Sequence, residues 1–140
     1  MKEYNHLKRL VKILKTRNER FNTGAVLLDK KGNLINYGFN SFVKTNPNMV
    51  SNPYYHECKI FVHAECDALY KCKNSNPHIL IVARLSKNNT LMNSKPCIGC
   101  YYEILNSSVK KVYYTNKKGN LELLNLTVPI EDYTNSNWLF

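Results

Sequence analysis

The sequence has no apolar run approaching the eighteen or so residues of a membrane span, and no signal-peptide apolar stretch at its N-terminus. A cytoplasmic, reducing location is the expectation. Cysteines are not even in number: there are five, which argues against a disulfide framework and for metal ligation or buried thiols. Acidic residues are scarce. Ten Asp and Glu stand against twenty Lys and Arg, a formal charge of +10 that favours anionic partners such as nucleotide phosphates or nucleic acid. No dense Arg run accompanies that charge, so it does not choose between a free nucleotide and a polymer. What remains is 140 residues, 44% hydrophobic and with ten tyrosines, the profile of one packed domain spanning 1–140.

Along the chain, Tyr4, Leu7, Leu10, Val11 and Leu14 recur at helical spacing and predict an amphipathic helix over about 3–16. Gly24–Leu28 and Leu34–Gly38 are short strand-like runs joined by the turn residues Asp29-Lys-Lys-Gly-Asn33, a hairpin pattern. Residues 41–58 are polar and irregular and read as a long functional or mobile loop, with Tyr54, Tyr55 and His56 as candidate pocket walls. A helix follows from about 63 to 72. His78–Ala83 is a continuous apolar run suited to a strand buried on both faces. Arg84–Asn93 reads as a polar connection, and Pro96 suits the first turn of the next helix. Val109–Thr115 and Leu121–Leu126 are two further strands. The residues from Thr115 to Asn120 are too few for a parallel crossover, so these two strands form an antiparallel hairpin. The tail from Thr127 to Phe140 is expected to pack on the body or on a partner subunit.

Chemistry concentrates in His63-Ala64-Glu65 and Pro96-Cys97-Ile98-Gly99-Cys100. One imidazole and two cysteines, His63, Cys97 and Cys100, supply three ligands of a tetrahedral zinc, the number used where the fourth position is left for reaction. Glu65 is the carboxylate that moves protons. In a regular helix His63 and Glu65 point nearly opposite ways, so the helix should begin at about His63, where the backbone is not yet helical. His-x-Glu followed by Pro-Cys-x-x-Cys resembles the cytidine/deoxycytidylate deaminase superfamily, over roughly residues 20–126. Read with that resemblance, the elements predict a three-layer α/β/α fold with a five-stranded mixed sheet in the order 2-1-3-4-5.

The resemblance implies hydrolytic deamination of the cytosine of a free nucleoside or nucleotide, with Zn2+ as cofactor, and assembly as a homo-oligomer. It also implies substrate contacts. Phe21 matches the family's base-stacking phenylalanine and Asn40 its sugar-binding asparagine, and Ala64 joins them as a third candidate. Nucleoside-specific members carry a glutamate two residues after that asparagine, where this chain has Phe42. Two alternatives compete. Nucleic-acid base editing fits the charge, but the resemblance implies that the deoxycytidylate and nucleic-acid-editing branch places a helix where this sequence predicts the last hairpin. That hairpin is the geometry of the cytidine and blasticidin deaminase branch. A structural zinc or redox module fits a lone Cys-x-x-Cys, but the second pair a zinc ribbon needs is missing. A second zinc on His56, Glu57 or Cys58 with Cys66, Cys72 or His78 has no spacing that fixes four ligands.

Overall fold

The computed structural model describes residues 2–17, 19, 22–41, 51–54, 62–72 and 75–133. Helix α1 (Lys2–Thr16) follows the periodicity of its leucines. Leu7, Leu10 and Leu14 are buried, and the lysines between them face outward. Strands β1 (Asn22–Leu28) and β2 (Leu34–Phe39) form an antiparallel hairpin whose register shifts at its turn end, between Leu27 and Leu28. Helix α2 (Ala64–Lys71) leads to β3 (Ile79–Leu85), the short β4 (Leu91–Met92), helix α3 (Ile98–Leu105), and strands β5 (Lys111–Thr115) and β6 (Leu121–Leu123).

The sheet runs β2-β1-β3-β5-β6, with β4 paired to the end of β3. β3 is antiparallel to β1 and parallel to β5, while β5 and β6 are antiparallel. This is the expected mixed sheet with one strand added. Arg84–Asn93 is therefore more than a polar connection: the chain turns at Ser86–Thr90 and lays Leu91 and Met92 back against Leu85 and Arg84. The last strand is shorter than expected, ending at Leu123 rather than Leu126.

Alternation along β1 and β3 builds two cores. Val26, Leu28, Ile81 and Leu85 meet Leu7, Leu10 and Leu14 of α1 on one face. Ala25, Leu27, Leu80 and Val82 meet Ala64, Ala68, Tyr101 and Ile104 of α2 and α3 on the other. Each fully buried leucine contributes roughly 1.5–3 kcal/mol. Both motif-bearing helices thus lie on one face of the sheet, opposite α1. At the contact of α2 with β2, a Cβ on Gly38 would lie 2.3 Å from the Ala64 carbonyl oxygen and 2.5 Å from the Ala68 nitrogen. Only glycine lets the helix come this close. The chain after β6 folds back through a 3-10 turn (Ile130–Asp132) and buries Leu124 and Tyr133 in the same core as Tyr101. Up to Tyr133 the tail packs on the body, as expected, and Trp138, Leu139 and Phe140 lie outside the described residues.

Candidate metal centre

Two helix beginnings build the site. His63 is the N-cap of α2, extended at φ −90° and ψ 153°, and Cys97 is the N-cap of α3, extended at φ −73° and ψ 171°. Neither side chain caps its own helix. They turn toward each other, and Cys100, in the first turn of α3, joins them. Pro96 therefore precedes the cap rather than occupying the first helical turn, because Cys97 is still extended where it offers its sulfur. His63 Nδ1 lies 3.4 Å from the Cys97 sulfur and 3.4 Å from the Cys100 sulfur, and all three residues are buried. Their ligand atoms lie within 4.8 Å of one another, and this is the one such group among the described residues. A tetrahedral zinc with Zn–S about 2.3 Å and Zn–N about 2.0–2.1 Å holds S and N about 3.6 Å apart. The three side chains fit one such ion.

The electrostatics agree. Hydrogen bonding with Cys66 and Cys97, together with burial, pushes the Cys100 thiol well above its ordinary range. Crowded buried sulfurs resist ionising next to one another, and a cation among them relieves that resistance. Glu65, in the first turn of α2, is 5% exposed. Burial, and secondarily the Cys97 sulfur, pushes its carboxyl up to about 7, against opposing pulls from His63 and from a hydrogen bond with Cys100. A carboxyl in that range exchanges protons readily near neutral pH.

Groups that sequence reasoning did not place at this centre hold the ligand loop from outside. Asn52 donates from its amide to the Gly99 carbonyl at 3.0 Å, between the two cysteines, and to Glu103 at 3.0 Å. Cys66 lies 3.6 Å from Cys100, sulfur to sulfur. The Tyr133 hydroxyl donates to the Pro96 carbonyl, and its ring stacks on Tyr101 with centroids 3.8 Å apart. Burial and the nearby Cys97 and Glu65 raise the Tyr133 phenol far above its ordinary range. No sequence signal marks Asn52 or Tyr133 beyond their residue types, since their partners lie far away along the chain.

Of the candidate substrate contacts, Asn40 is buried just past β2. Its side-chain oxygen accepts from the Thr23 backbone N–H at 3.0 Å and from Arg17 at 3.2 Å, so the amide is held in one orientation. Arg17 also donates to the Asn40 carbonyl at 2.9 Å. The next residue, Ser41, donates its N–H to the Val62 carbonyl, one residue before His63. Ala64 is buried at the start of α2. Phe21, Phe42, Tyr55, His56, Glu57 and Cys58 lie outside the described residues. Tyr54 packs against Tyr102 of α3 with ring centroids 5.7 Å apart. Cys72 bonds the Leu69 carbonyl.

Layers, sheet order and a buried His/Cys/Cys cluster beside a carboxyl together define a deaminase-type α/β/α protein with a candidate metal site. The cytidine and deoxycytidylate deaminase zinc-binding region matches residues 2–116, and the chain belongs to that family. The dCMP deaminase of cyanophage S-TIM5, solved with dCMP and dUMP, shares the fold. It is 23% identical over 82% of this chain and 81% of its own, with a TM-score of 0.53. The cytidine deaminase of Mycobacterium leprae aligns at 18% identity over 83% of this chain and 87% of its own, with a TM-score of 0.49. No curated protein matches the chain in sequence. No described helix is long and apolar enough to cross a membrane.

Proposed function

We propose that the protein is a zinc-dependent hydrolase that deaminates the cytosine of a free nucleoside or nucleotide to the uracil form, releasing ammonia. The observation that carries this reading is the Glu65 carboxyl, buried against three converging ligand atoms from two helix N-termini. His63, Cys97 and Cys100 hold the ion. When bound, zinc supplies a Lewis acid that makes water a nucleophile at neutral pH. Glu65 takes a proton from the attacking water, delivers it to ring N3, and later protonates the leaving amine. Burial raises the Glu65 carboxyl above its ordinary range, which suits it to return a proton as well as to take one. Phe21 stacks on the base, Asn40 bonds the sugar, and Ala64 lines the pocket between them. The protein acts in the cytoplasm as a homo-oligomer. The antiparallel pairing of β5 and β6 supports the cytidine-type branch over the branch that holds the deoxycytidylate and nucleic-acid-editing enzymes.

The test is to incubate zinc-loaded protein with cytidine, deoxycytidine, CMP, dCMP and single-stranded DNA, following loss of cytosine absorbance. Turnover of at least one free nucleoside or nucleotide is expected. Deamination of the DNA alone would replace this reading with nucleic-acid editing, and no turnover of any substrate by protein holding one zinc would leave a structural metal module.

A further inference from the structure

We propose that Tyr133 is a positioning residue for the metal ligand Cys97, so that the centre is completed by a segment outside the family region, which ends at residue 116. This rests on reading His63, Cys97 and Cys100 as the ligands. Tyr133 follows the 3-10 turn (Ile130–Asp132), is 7% exposed, and donates its hydroxyl to the Pro96 carbonyl. That carbonyl belongs to the peptide plane whose nitrogen is that of Cys97. The plane is rigid and the proline ring fixes the preceding φ, so Pro96 ψ is the one soft torsion left to aim it. The Tyr133 hydroxyl takes up that freedom. With the plane held, the chain enters Cys97 in a fixed direction; Cys97 is extended at φ −73° and ψ 171°, with its sulfur 3.4 Å from His63 Nδ1.

The hydroxyl is itself well located. Its ring stacks on Tyr101 with centroids 3.8 Å apart and planes within 9°. The Tyr101 hydroxyl donates to the Val128 carbonyl at 2.6 Å, tying the segment that carries Tyr133 to α3. The Lys95 ammonium lies over the Tyr133 ring, 5.2 Å from its centroid. The returning chain thus grips α3 through Tyr101 and the ligand loop through Tyr133. Partners that orient a metal ligand from outside typically carry 10–100-fold in metal affinity.

The experiment measures zinc affinity of the full chain by competition with a coloured chelator, and the absorption spectrum of the cobalt-substituted protein, which reports thiolate geometry. Tyr133→Phe keeps ring and stacking and removes the hydroxyl alone. It is expected to raise the zinc Kd about 10–100-fold and to alter the cobalt spectrum, and Tyr133→Leu is expected to do at least as much. A Phe variant with native Kd and native spectrum overturns the proposal, even with a lowered melting temperature. If Leu alone weakens binding, ring packing is the role and the positioning claim fails. A native chain that binds no zinc fails one step earlier, at the ligand assignment, so the two failures are distinguishable.

Discussion

Glu65 separates chemistry from support. Its neighbours on α2 are core residues, and an acid in the first turn of a helix ordinarily stabilises that helix by about 0.3–1 kcal/mol. Burial removes that ordinary reason, because a carboxyl taken out of water and pushed up to about 7 no longer offers a full negative charge to the helix end. Glu65→Gln is expected to keep zinc, fold and ligand affinity while lowering turnover by about 10²–10⁴-fold, the contribution of one placed acid–base group. Zinc content, melting temperature and deamination of the best cytosine substrate, measured on one preparation, check it. Full activity in that variant would end the mechanism, whereas slightly lower stability with full activity would return Glu65 to helix support. Motif spacing singled out His63, Cys97, Cys100 and Glu65 as candidates beforehand, and the structure brings the first three together. It did not reveal Asn52, because the bond to Gly99 joins residues 47 apart in sequence.

At the scale of elements, the placement of α2 depends on Gly38. Gly38→Ala drives a Cβ against backbone at the start of the motif helix, where no rotamer change can relieve it. A loss of about 1–3 kcal/mol or more is expected, with weaker zinc binding as the helix shifts. Gly24→Ala is the comparison: its Cβ would meet the Leu10 Cδ1 at 2.7 Å, the far end of a flexible side chain that can yield. Equal melting temperatures for the two variants would contradict this ranking. The β5–β6 hairpin carries a pH prediction. The Tyr114 hydroxyl, foremost, and Asn116 hold the Glu122 carboxyl below its ordinary 4.5. A carboxyl depressed in the folded state stabilises above its unfolded value and loses that contribution as pH falls through the folded one. Tyr114→Phe should therefore cost at most about 1 kcal/mol at pH 7, given the exposed carboxylate. The difference from the native chain should shrink below about pH 4. Urea melts at both pH values decide it, and a gap that widens in acid would refute the assignment.

For the whole molecule, the excess of ten positive charges has a local expression. Lys15, Arg17 and Lys87, against the single carboxylate of Glu19, line an open cavity of about 670 Å³ beyond the end of α1. Arg17 reaches from there to Asn40. A phosphate-bearing substrate approaching this end of the sheet meets attraction that a nucleoside does not. The expectation is that kcat/KM for CMP or dCMP falls several-fold between about 10 mM and 150 mM ionic strength, as the screening length contracts from about 30 to 8 Å. The value for cytidine should stay nearly constant. Parallel salt dependence for both substrates would show that the charge serves the surface rather than the site.

The three turns show where sequence reading stops. Asp29–Asn33 and Asn116–Asn120 each begin with a side-chain oxygen accepting two backbone N–H groups, and each places a glycine at positive φ, 88° and 82°. Both were legible, because only a few residue types make that geometry without strain. Ser86–Thr90 is built alike, with the Ser86 hydroxyl accepting from Asn88 and Thr90, but Asn89 holds the left-handed position at φ 61°. The signal there is asparagine rather than glycine, and it introduces a strand of only two residues, so β4 was missed. By itself the sequence determined the local terms: helix α1 from its periodicity, the buried strand β3 from its apolar run, the hairpin β5–β6 from a turn too short to cross over, and the ligand types from motif spacing. Only the tertiary structure decided what closes around those ligands. Asn52 and Tyr133 reach the centre from two distant segments, and such meetings are set by how the layers pack, which no local pattern encodes.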